Sequence, residues 1–211
     1  MSISSFEQLL ESAKSLGRKK IAIAAAQEAE VLLAASDAEQ RGFADCTLVG
    51  NAPAIERIAA EQGVDLSQMA VIHEPEPRLA ARKAMELVST GQAHLAMKGS
   101  VETGQFLRAA LDKDLGLRVG RLLSHVGIFE IPGVDRLLFI SDAGVVVAPT
   151  MEMKIEIVYN AIEVAQALGI EQPKVAILAA TEMVNPKIPN TLDAANLAKM
   201  ASTLWDRDRV L

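Results

Sequence analysis

The stretch 95-LAMKGSVETGQFLRAAL-111 decides how the fold is interpreted. Its first three residues form a short apolar run, which is typical of a β-strand that is buried on both faces. Small and polar residues follow, and the pattern over 104–113 then has helical spacing. The stretch therefore predicts a strand, a tight loop and a helix in direct succession.

The same succession of strand and helix recurs on the N-terminal side of this stretch. Each apolar run is short and leads into a helical pattern that ends at a glycine. Because strands covered by helices on both faces are near-continuously apolar, this alternation predicts an α/β fold with a doubly wound, mostly parallel sheet. The predicted strands are 20–26, 46–49, 70–73 and 95–97, and the predicted helices are 28–42, 53–63, 78–91 and 104–113.

The pattern changes near Arg121. Two strand-like runs within 122–142 are joined by Pro132-Gly133, which indicates an antiparallel hairpin. We therefore predict an N-terminal α/β domain over 1–123 and a second α/β domain over 124–211. The further predicted elements are a helix over 152–169, a strand over 174–180 and a last helix from about Thr191.

Composition and charge limit the classes of partner. Half of the 211 residues are hydrophobic but only 3% are aromatic, which fits layered helices and sheet. The formal net charge of −6 disfavours non-specific binding to nucleic acid or to an anionic membrane. Cys46 is the one cysteine, which excludes an internal disulfide and favours a reducing cytoplasm. The first 20 residues lack a signal-peptide pattern, so we expect a cytoplasmic protein without a membrane partner.

Candidate binding residues stand where the 95–97 strand ends. Ligands of open parallel sheets bind at the carboxyl ends of the strands, and helix starts favour anions. Lys98, Gly99, Ser100 and Thr103 lie at this end, and Arg108 follows within the next helix. Small residues would let backbone N–H groups approach a phosphate. On spacing alone, an ordinary helix start with a solvated lysine and arginine is the more common explanation.

A second pair, Ser124 and His125, interrupts an apolar run. A lone histidine of this kind is more often a core or interface residue than a catalyst. The spacing of His, Cys and Asp does not match a metal site, and there is no serine-hydrolase elbow. A nicotinamide-dependent dehydrogenase is disfavoured because the glycine-rich dinucleotide fingerprint is absent.

Four segments together resemble the phosphate acetyl/butyryltransferase family, and in particular its phosphate butyryltransferase-like branch. They cover most of residues 90–200, and the last of them is long and specific. The segments are MKGSVETGQFLRAAL (97–111), GLRVGRLLSHVGIFEIP (116–132), FISDAGVVVAP (139–149) and YNAIEVAQALGIEQPKVAILAATEMVNPKIPNTLDAANLAKM (159–200).

The resemblance implies reversible transfer of an acetyl or butyryl group from coenzyme A to inorganic phosphate. It also implies a two-domain α/β fold similar to isocitrate and isopropylmalate dehydrogenases, with the active site between the domains. Coenzyme A would be a substrate, with no further cofactor or metal, and the protein would be a homodimer or a larger oligomer.

Several residues of this chain match functional positions of the family. By resemblance, Ser100 and Thr103 line the pocket for phosphate or coenzyme A, in the loop that also holds Lys98 and Gly99. Arg108 matches an arginine that holds anionic substrate. Ser124 and His125 match a Ser-Ser or Ser-His pair beside the active site.

The resemblance ends near Met200. There the family continues with an Asp-Gly-Pro segment and a further region that contains the proposed general base, whereas this sequence reads 201-ASTLWDRDRVL-211. This departure predicts a truncated second domain and a catalytic base that falls beyond residue 211. We therefore expect a phosphate acyltransferase whose activity is impaired. The alternative is a non-catalytic phosphate- or coenzyme A-binding fragment or regulatory subunit.

Overall fold

A computed structural model describes residues 3–204, so the predicted departure around Trp205 lies outside the described residues. The chain forms two compact units: one spans Glu11–Gly120, and the other combines the residues before Glu11 with those after Gly120. The N-terminal segment joins the second unit through hydrogen bonds such as that from the Ile3 N–H to the Leu168 carbonyl oxygen, 3.1 Å long. The domain boundaries predicted from the sequence did not anticipate this return of the first residues and stay a prediction.

The first unit is built on four parallel strands in the order β3-β2-β1-β4. All four predicted strands are present, and Ile23 at the centre pairs with Leu48 on one side and Met97 on the other. The elements are β1 (Lys19–Ala24), α2 (Ala29–Gln40), β2 (Ala44–Gly50), α3 (Ala52–Gln62), β3 (Ala70–His73), α4 (Pro77–Ser89), β4 (Leu95–Lys98) and α5 (Thr103–Ala110), preceded by α1 (Phe6–Ser15), in which the division between the two units falls.

Helices cover both faces of this sheet, because successive strand residues point to opposite sides. Ala22 and Ala24 are fully buried in one core together with the small residues of α4 and with Ala109 of α5. Ile23 and Leu48 are fully buried in the other core, against α2 and α3. The α/β class and the doubly wound parallel sheet are therefore confirmed.

The order of the strands creates a switch point between β1 and β4. The chain leaves β1 towards α2 on one face and leaves β4 towards α5 on the other face. The two loops therefore diverge at the carboxyl edge of the sheet, which is where open α/β sheets bind ligands. The residues singled out in 95–111 lie at this point.

The helix predicted over 104–113 is shorter than expected. It ends at Ala110, and a separate 3₁₀ turn spans Lys113–Leu115. The Asp112 carboxylate accepts a hydrogen bond from the Asp114 N–H, 3.0 Å long. Because this bond starts a new turn, the helix does not continue through it.

The second unit contains a predicted hairpin and two long helices. Gly127 pairs with Ile140 across antiparallel strands, which confirms the hairpin. The helices pack through Val158, Ile162 and Leu197, all of which are buried. The elements are β5 (Gly127–Phe129), β6 (Leu138–Ile140), α6 (Met151–Ala167) and α7 (Pro189–Leu204).

The strand predicted over 174–180 is wrong. Only Val175 takes part in an isolated β-bridge, and Leu178 is 86% exposed. A strand needs a neighbour to satisfy its N–H and C=O groups, and no ladder pairs with this segment in the described part of the chain.

Within residues 3–204, none of the helices has the length and apolar character that a bilayer span requires.

Candidate functional site

The loop after β4 is tied to the end of β1 by two backbone hydrogen bonds. The Gly99 N–H donates to the Ala24 carbonyl oxygen and the Ser100 N–H donates to the Ala25 carbonyl oxygen, both at 2.8 Å. A Cβ atom added at Gly99 would lie 2.5 Å from the Ala25 oxygen. Glycine is therefore required because two backbone segments touch. The N–H groups of Gly99 and Ser100 are thus already paired with carbonyl oxygens. The expectation that N–H groups of this loop approach a phosphate stays a prediction.

Ala25 is held in a strained conformation by the same contact. Its φ of 52° lies in the left-handed region, where a residue with a Cβ is disfavoured by about 1–2 kcal/mol. Strain of this kind is retained where the surrounding structure fixes it, and such places are frequent at functional sites. The switch point is thus a rigid part of the sheet edge.

The Lys98 side chain folds back over this loop. Its Nζ donates to the Gly99 carbonyl oxygen at 3.1 Å and to the Val101 carbonyl oxygen at 2.9 Å. Since an ammonium group has three N–H bonds, one donor stays available for a ligand. Lys98 therefore has a structural role and also brings a positive charge to the end of β4.

The N-terminus of α5 is open. Its N-cap residue, Glu102, makes no side-chain capping bond, and the N–H groups of Thr103 and Gly104 have no partner among the described residues. The N-termini of α3 and α4, by contrast, are closed by Asn51 and Glu76, whose side chains accept backbone N–H bonds. Free N–H groups at a helix start favour an anion.

The N-terminus of α2 is uncapped as well, but negative side chains beside it make it unsuitable for binding an anion. Glu28 is the N-cap residue and makes no side-chain capping bond, and Glu30 lies in the first turn. Both side chains belong to exposed residues, and their negative charges repel an anion. The start of α5 is therefore the better anion site at this edge of the sheet.

Arg108 lies on the face of α5 that leads to this open end. It follows Gly104 by four residues, so the two share one face, and helical side chains tilt towards the N-terminus. Beyond its chain neighbours and its own helix backbone, no described residue lies within 4 Å of where a Cβ atom of residue 104 would be, so glycine leaves this face of the helix open. Arg108 is exposed, and within residues 3–204 its side chain makes no hydrogen bond or ion pair. Its guanidinium is free to contact an anion at the helix start.

Ser124 and His125 lie in the second unit. The Ser124 Oγ accepts a hydrogen bond of 2.8 Å from the Asn160 side-chain amide. The His125 carbonyl oxygen accepts one of 2.7 Å from the Ser141 hydroxyl. The His125 residue is exposed, and its imidazole has no hydrogen bond in the described part of the chain.

Asp142 organises the loop beside His125. Burial would raise the pKa of its carboxyl group, but hydrogen bonds from backbone N–H groups lower the pKa below its ordinary value. The donors are the N–H groups of Gly144, Val145, His125 and Val146, at 2.8 to 3.3 Å. Asp142 is therefore an ionised residue that fixes the loop.

Five of the predicted residues lie in the first unit and two, Ser124 and His125, lie in the second. The five are Lys98, Gly99, Ser100, Thr103 and Arg108. The sequence interpretation missed Asn160, whose position four residues after Glu156 and three before Glu163 gives α6 one polar face. That spacing is the signal that could have identified it. Within the described ranges, no three His, Cys, Asp or Glu side chains form a group that could hold a metal ion.

A family model described as phosphate acetyl/butaryl transferase matches residues 4–83 and 74–206. The phosphate butyryltransferase of Clostridium acetobutylicum is 48% identical over 199 residues, which are 94% of this chain and 66% of that protein. The phosphate acetyltransferase of Thermotoga maritima is 39% identical, over 92% of this chain and 65% of that protein.

Solved structures agree with the sequence comparison. A branched-chain phosphotransacylase from Enterococcus faecalis superposes with a TM-score of 0.75 at 28% identity. The superposition covers 91% of this chain and 66% of that chain. The chain therefore spans just under two thirds of the length of these relatives.

Proposed function

The chain belongs to the phosphate acetyl/butyryl transferase family, and on this basis we propose that it transfers an acyl group reversibly between coenzyme A and inorganic phosphate. In this reaction a phosphate oxygen forms a bond to the thioester carbonyl carbon. The carbon–sulfur bond then breaks, and coenzyme A leaves as a thiolate that takes up a proton. An acetyl or butyryl phosphate is the product.

The observation that carries the proposal is the open start of α5 at the switch point. Within residues 3–204 the N–H groups of Thr103 and Gly104 have no partner, and together with the Lys98 ammonium and the Arg108 guanidinium they can serve one anion. Ser100 is exposed beside them and adds a hydroxyl group. Binding phosphate here would fix the nucleophile before attack, which is a major source of rate enhancement.

Ser124 and His125 belong to the same proposal as contacts for the acyl-CoA or for the charge that develops on the carbonyl oxygen. A hydroxyl group and an imidazole are both suitable hydrogen-bond donors to an oxyanion. The exposed imidazole of His125, which has no hydrogen bond to the residues that the structure describes, supports this role, as does the hydrogen bond between Ser124 and Asn160. In the proposed reaction coenzyme A is a substrate.

The second candidate function is non-catalytic binding of phosphate or coenzyme A, as a regulatory subunit would need. The open start of α5 supports it equally, because free N–H groups at a helix start favour an anion whether or not a reaction follows. The two candidates share the anion site but differ in turnover.

Release of free thiol from acetyl-CoA and butyryl-CoA, measured with and without phosphate, separates the two candidates. Phosphate-dependent release at an enzymatic rate supports the transferase. Calorimetric binding of butyryl-CoA without release supports the binding protein, and neither binding nor release contradicts both. The Arg108→Ala protein, purified in parallel, controls for contaminating host enzyme.

The proposal also includes that the protein is cytoplasmic and associates into a homodimer. Large apolar side chains are exposed in the second unit, among them Val147 (98%), Leu178 (86%) and Met183 (75%). Exposed apolar surface of this kind favours burial in an interface, and a homodimer is the commonest way. The buried free thiol of Cys46 suits a reducing compartment. Light scattering after size exclusion tests the assembly, and a clean monomer would contradict the dimer.

A further inference from the structure

Asn160 of α6 lies at the centre of a hydrogen-bond network in the second unit. Its Nδ2 donates to the Leu122 carbonyl oxygen at 2.9 Å and to the Ser124 Oγ at 2.8 Å. Its Oδ1 accepts a hydrogen bond of 2.9 Å from Nη2 of Arg121. The amide oxygen and both N–H bonds of the amide nitrogen therefore have hydrogen-bond partners.

The chemistry of these partners fixes the orientation of the amide. Arg121 can only donate, and the Leu122 carbonyl oxygen can only accept. Reversing the amide of Asn160 would place donor against donor and acceptor against acceptor. The Nδ2 group must therefore face Ser124, independently of how the oxygen and nitrogen atoms are distinguished.

Arg121 is itself held against the same face of α6. Its Nη1 donates to both carboxylate oxygens of Glu163, at 2.8 and 3.0 Å. Its Nε lies 3.7 Å from Oε2 of Glu156. The two glutamates flank Asn160 at helical spacing, so Arg121 stays in place to orient the amide.

The Ser124 hydroxyl can therefore act as a hydrogen-bond donor towards a ligand. Its oxygen accepts from Asn160, and its proton has no acceptor among the residues that the structure describes. We propose that Asn160 is a positioning residue that makes the Ser124 hydroxyl a hydrogen-bond donor to substrate. This inference rests on the proposed acyl transfer. The acceptor is an unprotonated oxygen, either of phosphate or of the thioester carbonyl.

A double-mutant cycle on Asn160→Asp and Ser124→Ala tests the coupling. The carboxylate keeps the contact with Arg121, but it accepts the serine proton and so removes the donor to substrate. It also faces the Leu122 carbonyl oxygen, which costs stability equally in both backgrounds. We expect about a tenfold to hundredfold loss of kcat/KM from either single change. In the Ser124→Ala background, Asn160→Asp should cost less than about threefold. Equal losses in both backgrounds would show an effect of charge or of folding, and would overturn the inference.

The two possible acceptors give different kinetics. A contact to phosphate raises KM for phosphate and leaves kcat little changed, whereas a contact to the carbonyl lowers kcat with both substrates saturating. Asn196→Asp is the matched control, because it adds the same charge to an exposed residue of α7. If Asn160→Asp does not fold, Asn160→Ala replaces it. The loss expected from that variant is about threefold to tenfold, again absent in the Ser124→Ala background.

A magnetic resonance measurement separates this inference from the proposed function. Ser124→Ala should shift one of the two side-chain amide protons of Asn160 strongly, because only one of them faces the serine. Unchanged amide signals would overturn the network whether or not the chain is active. Shifted signals in a chain that neither binds nor turns over butyryl-CoA would contradict the proposed function and, with it, the role of Ser124 towards substrate.

Discussion

The Gly99 N–H donates a 2.8 Å hydrogen bond to the Ala24 carbonyl oxygen, and this bond fixes the start of the β4–α5 loop against the end of β1. The two strands are neighbours in space although two other strands lie between them in the chain. The bond therefore sets where α5 begins, and with it the position of the free N–H groups of Thr103 and Gly104. The anion site depends on this backbone contact.

Gly99→Ala is expected to destabilise the fold. The added Cβ would lie 2.5 Å from the Ala25 carbonyl oxygen and 2.8 Å from that of Ala24, and both are backbone atoms. We expect a loss of about 1–3 kcal/mol in the free energy of unfolding by urea. Gly104→Ala is the control, since nothing lies within 4 Å of its added Cβ and alanine favours a helix. Equal stability of the two variants would contradict the close contact.

Arg108→Ala is expected to weaken the binding of phosphate and of butyryl-CoA. Loss of a charge-assisted hydrogen bond to an anion costs about 1.5–3 kcal/mol, or roughly tenfold to hundredfold in affinity. Calorimetry measures the change. Arg57→Ala is the control, because that exposed arginine pairs with Glu61 at 2.6 Å within α3. An unchanged affinity in Arg108→Ala would remove the residue from the site.

Much of the first unit could be predicted from the sequence, and the reason is local. Its strands are short apolar runs, and its helices end at glycines such as Gly63, which caps α3 with a φ of 68°. The role of Gly99 could not be predicted in the same way. It depends on β1 lying beside β4, and chain order does not reveal that adjacency.

In the second unit, the sequence pattern did not predict a strand or a hydrogen-bond network correctly. The run over 174–180 is as apolar as the true strands, but an apolar run becomes a strand only where a neighbour satisfies its backbone groups. Asn160 was missed for a related reason, because its partners Arg121 and Ser124 lie far from it in the sequence. Patterns read along the chain indicate elements, and hydrogen-bond networks form between them.

Asp142→Ala is expected to remove an acid-sensitive part of the stability. Burial raises the pKa of Asp142, but four backbone N–H bonds lower it below the ordinary 3.8. A carboxyl group whose pKa is lower in the folded state stabilises the fold, and this stabilisation is fully present when the pH is above the ordinary pKa. It is lost as the pH falls through the folded-state pKa.

Urea unfolding measured between neutral pH and about pH 3 checks this expectation for Asp142. The wild type should lose more stability than Asp142→Ala over this interval, because only the wild type has a carboxylate that the backbone N–H groups hold ionised. Asp135→Ala, in the exposed hairpin turn, should behave like the wild type. Parallel pH profiles for wild type and Asp142→Ala would refute the role of this carboxylate.

Cys46 is expected to be unreactive in the folded protein. Burial, and then the negative charges of Glu39 and Asp45, raise the pKa of its thiol from 9.0 to about 11. Because the folded state then binds more protons than the unfolded state, stability should fall as the pH rises from about 9 to 11, by roughly 2–3 kcal/mol. Cys46→Ala should lack this loss. Fast labelling of the native protein by a disulfide reagent at pH 8 would contradict the prediction.

The anion site at the start of α5 is tested most directly by titrating isotope-labelled protein with inorganic phosphate. The backbone amide signals of Thr103 and Gly104 report the two N–H groups that have no partner within residues 3–204. We predict saturable shifts of both signals, and much weaker saturation in Arg108→Ala. Unchanged signals at these two residues, at phosphate concentrations that shift signals elsewhere or support thiol release, would contradict the account.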